Sequence, residues 1–103
     1  MAKEHYFVKL TPPRASFVQD MTAEERRLME AHVQYTHEHF VAGKVLAYGP
    51  VLASDGPFGV AIYAVENEAE VRKIIENDPT ARAGLNRFEC YPMHLGEAQG
   101  KRG

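Results

Sequence analysis

At 103 residues the chain is long enough for one domain and too short for a second core. Its 45% hydrophobic and 25% charged residues are those of an ordinary globular protein, and a formal net charge of −2 with scattered Lys and Arg argues against a nucleic-acid-binding surface. No apolar run reaches the roughly 18–20 residues that cross a bilayer, and Met1-Ala2-Lys3-Glu4-His5 lacks the apolar core of a signal peptide. The single cysteine, Cys90, excludes an internal disulfide and fits a reducing cytoplasm. The expectation is a cytoplasmic protein with no membrane and no nucleic-acid partner.

Tyr6 to Leu10, rich in aromatic and branched residues, reads as a first strand, and Pro12-Pro13 stops it because proline cannot donate to a ladder. Residues 11 to 21 read as a loop whose large side chains are Arg14 and Phe17. Thr22 and Glu25 have capping-box spacing, so a helix is expected from about Ala23 to Val41, with Gly43 as its C-terminal signal. Leu28, His32, Tyr35 and His39 share one stripe, flanked by Met29, Val33 and Phe40, and form the expected inward face. A second strand runs from Lys44 to Tyr48, is interrupted by a tight Gly49-Pro50 turn and continues through Val51-Leu52. Ser54-Asp55-Gly56-Pro57 then turns the chain into a third strand, Phe58 to Val65.

A second helix is expected over Glu68 to Asn77, with Val71, Ile74 and Ile75 as its apolar stripe. Asp78-Pro79 ends it, since a residue before proline avoids the helical region, and Thr80 to Ala83 could add one turn before Gly84. Arg87 to Met93 is the fourth strand, with Pro92 pointing to an edge or a bulge. The domain is expected to span residues 1–95, and residues 96–103, polar and glycine-containing, to form a flexible C-terminal tail. The order β-α-β-β-α-β is the split βαβ, ferredoxin-like pattern: an α+β fold with a four-stranded antiparallel sheet. Two helices cover one face of such a sheet. The other face, from residues such as Phe7, Val60, Ile62 and Phe88 or their alternates, is expected to pack on a second copy of the chain, giving a homodimer through the sheet.

Among residues that can do chemistry, His32 stands on the inward stripe and Asp78 closes the second helix. Imidazole changes charge near neutral pH, and a carboxylate bonded to one ring nitrogen fixes the tautomer and raises the basicity of the other. Each also has an ordinary structural reading: a core histidine satisfied by a backbone carbonyl, and a turn-forming Asp before Pro. His37 and His39 lie about 200° apart on a helix and cannot grip one ion, so no metal and no cofactor are expected. Arg14 could meet an anionic substrate at a cleft mouth or be a solvated loop residue. Tyr35 and Tyr48 could lend hydroxyls to a pocket beside Gly49-Pro50 or serve the core. Cys90 has no adjacent basic residue and reads as a small buried hydrophobe.

The run Met21-Thr22-Ala23-Glu24-Glu25-Arg26, His32, Gly43-Lys44-Val45, Tyr48-Gly49-Pro50-Val51-Leu52, Gly56-Pro57-Phe58-Gly59, Asp78-Pro79 and Ala83-Gly84-Leu85 resembles the YCII-related family over nearly the whole chain. The resemblance implies a ferredoxin-like α+β fold, a dimer of the α+β barrel type, and an active-site cleft whose His and Asp fall at His32 and Asp78. Gly49, Pro50 and Gly84 match the family's structural glycines and proline. One branch of the family looks like a dehydrochlorinase acting on a chlorinated hydroxyquinol. Two departures bear on the pocket: Thr80 stands where many members carry an aromatic after Asp-Pro, and Tyr91-Pro92-Met93 where a Pro-Trp step is frequent.

The expected function is therefore a cofactor-independent enzyme acting on a small anionic or phenolic substrate by elimination, isomerisation or dehydrochlorination. His32 and Asp78 would be its acid/base pair, and Arg14, Tyr35, Tyr48, Gly49 and Pro50 would contact the substrate. The alternative is a non-catalytic dimeric module that binds a metabolite or a partner protein. A haem- or quinone-handling monooxygenase of the same shape rests on fold analogy alone.

Overall fold

The structure, a computed structural model, describes residues 2–100. The chain forms β1 (Glu4–Thr11), α1 (Phe17–Asp20), α2 (Ala23–Val41), β2 (Val45–Val51), β3 (Phe58–Val65), α3 (Glu68–Glu76), α4 (Pro79–Arg82) and β4 (Arg87–Met93). The strands make one antiparallel sheet in the order β2-β3-β1-β4, with the long helices packed on one face. This is the expected split βαβ, α+β fold.

Local chemistry sets the helix ends. The Thr22 hydroxyl accepts a hydrogen bond from the Glu25 amide at 3.1 Å, and the Glu25 carboxylate accepts one from the Thr22 amide at 2.9 Å. This reciprocal box starts α2 where the spacing placed it. Asn67 caps α3 with its side-chain oxygen, which accepts from the Glu70 amide at 2.9 Å, without the reciprocal bond. Past α2 the chain turns at Gly43, whose φ of +84° is one that a Cβ would strain. Alternation along β1 sends Tyr6, Val8 and Leu10 to the helix side, where Val45, Tyr63, Val65, Val71 and Ile74 close the core around them.

Several expectations are corrected. Gly49-Pro50 is no turn: β2 runs unbroken to Val51, with Gly49 opposite Val60 and Pro50 opposite Gly59. A proline is tolerated there because β2 is an edge strand. The irregularity falls earlier, as a register shift between Val45 and Ala47. The segment 11–21 is no plain loop, since Phe17–Asp20 forms a helical turn that buries the Phe17 ring, 2% exposed, at the cleft it shares with the sheet. Phe88 lies not on the open face but on the helix side, since it pairs with the inward Leu10. On α2 the fully inward residue is Thr36, while Val33 and Phe40 remain exposed. The Thr36 hydroxyl is satisfied by the His32 carbonyl at 2.9 Å, so its burial leaves no polar group unpaired.

The open face carries Phe7 stacked on Tyr91 with ring centroids 6.5 Å apart, beside Val60 and Ile62. Residues 96–100 add no helix or strand, and the last three residues of the expected tail lie outside the described ones. Replacing Phe17 by alanine removes the buried ring of the α1 turn. Urea unfolding should show a loss of about 3–5 kcal/mol with an unchanged m value. A loss below about 1 kcal/mol would show that the turn is not anchored by this ring.

Candidate active site

The Asp78-Pro79 step sits between α3 and α4. Asp78 takes the extended conformation that a following proline favours, φ −63° and ψ 133°, and Pro79 fills the first helical position, where its missing N–H is not needed. Asp78 is thereby the N-cap of α4. Its Oδ1 accepts from the Thr80 amide at 2.8 Å and from the Thr80 hydroxyl at 2.7 Å. Its second oxygen, Oδ2, is turned to α2 and lies 2.6 Å from His32 Nδ1.

Asp78 and Thr80 are buried, whereas the His32 side chain keeps 19% of its surface. Burial pushes the Asp78 carboxyl up, but the hydrogen bond and charge of His32 and the two Thr80 donors outweigh it, leaving the carboxyl below its ordinary range. A carboxylate at Nδ1 selects the tautomer with the proton on that nitrogen. Nε2 is then the basic atom.

His32 borders a cleft of about 530 Å³ between α2, the α1 turn and the sheet. Its walls are largely apolar: Leu10, Phe17, Met21, Met29, Val33 and Phe88 contribute, and no Lys, Arg, Asp or Glu lines it among the described residues. The polar side chains facing it are those of His32, Thr36, Tyr48 and Tyr63. Among the described residues no three His, Cys, Asp or Glu side chains gather closely enough to hold a metal ion.

The residues singled out in the sequence divide. His32, Tyr48, Gly49 and Pro50 line the cleft, and Asp78 stands directly behind His32. Arg14 and Tyr35 do not line it. The Arg14 guanidinium is held by Asp20 at 2.8 Å and by Glu25 at 2.7 Å, tying the α1 turn to the first turn of α2. Tyr35 donates its hydroxyl to the Ile74 carbonyl at 2.7 Å and so joins α2 to α3. Sequence reasoning passed over Tyr63, and noted Thr80 only as a departure from the family pattern beside Asp78-Pro79 and not as a partner of the carboxylate. Asp-Pro-Thr does carry the signal of an N-cap followed by N1 and N2, which predicts the amide contact; the hydroxyl contact depends on side-chain packing.

Because the Asp78 carboxyl is depressed on folding, its contribution to stability is complete above the unfolded value of about 3.9 and is lost as pH falls through the lower folded value. Asp78→Asn should cost on the order of 3 kcal/mol at neutral pH, since it leaves a buried network broken. The gap between wild type and variant should close as unfolding is measured at pH values below about 4. A gap independent of pH would show that the carboxylate charge has no such role.

The comparisons with known proteins follow the same outline. No curated protein matches the chain in sequence. Among solved structures it is similar to 5-chloro-2-hydroxyhydroquinone dehydrochlorinase from Burkholderia phenoliruptrix AC1100, solved in complex with 2,5-dihydroxybenzoquinone. The TM-score is 0.65 at 23% identity, over 88% of this chain and 95% of that one, a likeness that establishes the shared fold. The YCII-related domain matches residues 6–94, from the third residue of β1 to the residue after β4. With nearly every element of the sheet and both long helices inside that match, the chain belongs to the YCII-related family.

Proposed function

We propose that this protein is a cofactor-independent acid–base enzyme acting on a small phenolic or quinoid substrate. The observation that carries the reading is the 2.6 Å contact between His32 and a buried carboxylate at the wall of an apolar cleft. Nε2 of His32 takes a proton from the substrate. The electron pair left behind forms a new π bond, and in an elimination the leaving group departs with its bonding pair. Asp78 keeps the imidazole oriented and balances the imidazolium that forms; it does not itself take the proton.

The lining supports the phenolic side of the expectation over the permanently anionic one. A carboxylate or phosphate entering this cleft would lose water without gaining a cationic partner, because Arg14 is committed to Asp20 and Glu25. A phenol can enter neutral and ionise in place. The dehydrochlorinase of similar fold was solved with a dihydroxybenzoquinone, which is compatible with such a ligand here. The open sheet face, with Phe7, Val60, Ile62 and Tyr91, supports a homodimer packed through that face.

His32→Ala should lower turnover of a phenolic substrate by about 10²–10⁴ with the fold retained by circular dichroism. Retained turnover would remove His32 from the mechanism and favour a non-catalytic binding module. Light scattering on the eluted protein should give twice the chain mass at micromolar concentration, and a monomer would refute the sheet-packed dimer.

A further inference from the structure

His32 supplies a base, and every proton it removes leaves negative charge on the substrate. In a cleft without cations that charge needs a neutral donor. Four polar side chains face the cleft, and they are not equivalent. The Thr36 hydroxyl is already bonded to the His32 carbonyl at 2.9 Å. Tyr48 is 39% exposed at the edge strand, its ring set against Phe40 at 6.1 Å, so water competes for its hydroxyl. Tyr63 differs from both. It stands on the central strand β3, opposite Tyr6 and Val45, and is only 7% exposed. Its ring is part of the core, yet it lines the cleft, and its hydroxyl makes no hydrogen bond within the described residues.

We propose that Tyr63 is a second catalytic residue, whose hydroxyl donates a hydrogen bond from the sheet floor to the substrate oxygen on which charge develops as His32 takes the proton. The inference rests on the acid–base reading above and adds the group that receives the charge. Base and donor sit on different layers, His32 on α2 and Tyr63 on β3, and both line the same cleft. Burial, together with the Asp78 charge, pushes the Tyr63 phenol up. It therefore stays protonated at neutral pH and acts as a donor, with no proton leaving it. A neutral donor of this kind is worth most where water is excluded.

The probe is 4-nitrophenol, whose ionised form absorbs visible light. Titrated into the wild type, it should bind, and its bound form should ionise at lower pH than in Tyr63→Phe. The variant should also bind the phenolate at least about tenfold more weakly, in the range expected for loss of one such donor. Tyr63→Phe keeps the ring and removes no protein hydrogen bond, so its melting temperature should match the wild type. Phenolate binding and bound-state ionisation unchanged in Tyr63→Phe, with binding weakened in His32→Ala, would overturn the tyrosine assignment and leave the histidine base standing. No binding by the wild type would overturn the phenolic reading and this inference together.

Discussion

The site depends on the two oxygens of one buried carboxylate having two different partners. Asp78 is turned away from water, and an isolated charge in that position costs far more than the domain can tolerate. Thr80 answers the cost on one oxygen with an amide and a hydroxyl, at 2.8 and 2.7 Å, and His32 answers it on the other at 2.6 Å. The same atoms therefore start α4, join it to α2, and set the histidine tautomer. A backbone requirement, capping a short helix after proline, has been merged with a chemical one.

The surroundings of this pair are arranged to keep water and competing charge away from it. Phe88 and Met29 border His32, and the α1 turn brings Phe17 and Met21 over the same cleft. That turn is held by Arg14, which bridges Asp20 and the Glu25 that also caps α2. These ion pairs hold the Glu25 carboxyl down at about 2, through Arg14 first and the Thr22 amide second. They are partly exposed, so their value lies more in placing the wall than in overall stability. An apolar wall held from outside by charges gives a low-dielectric interior in which a single imidazole–carboxylate pair is felt strongly.

The sheet contributes in two ways. Its helix side supplies the cleft floor through Tyr63 and Ala61, and the edge strand β2 brings Tyr48, Gly49 and Pro50 to the rim. Edge position is what permits a proline there, so the rim can be shaped without breaking a ladder bond. The opposite side presents Phe7, Val60, Ile62 and Tyr91, flanked by the paired Lys9 and Glu89.

The sequence by itself determined the order of the strands and the two long helices, because that order is written in local chemistry. The Thr22–Glu25 box, the alternation along Tyr6 to Leu10, and the Asp78-Pro79 break act over a few residues and need no distant partner. It also placed His32 on an inward stripe and Asp78 at a helix end, from which their meeting could be expected once two helices share a sheet face. Only the tertiary structure decided which other residues join them. Arg14 and Tyr35 were plausible ligands by type, yet their charge and hydroxyl are claimed by Glu25, Asp20 and the Ile74 carbonyl, partners set by packing. Gly49-Pro50 has the composition of a turn, but pairing with Val60 and Gly59 keeps it in a strand. Thr36 and Tyr63 gave no signal by pattern, since whether a hydroxyl faces a core or a cleft depends on what lies across from it, and that is fixed by strands and helices distant along the chain.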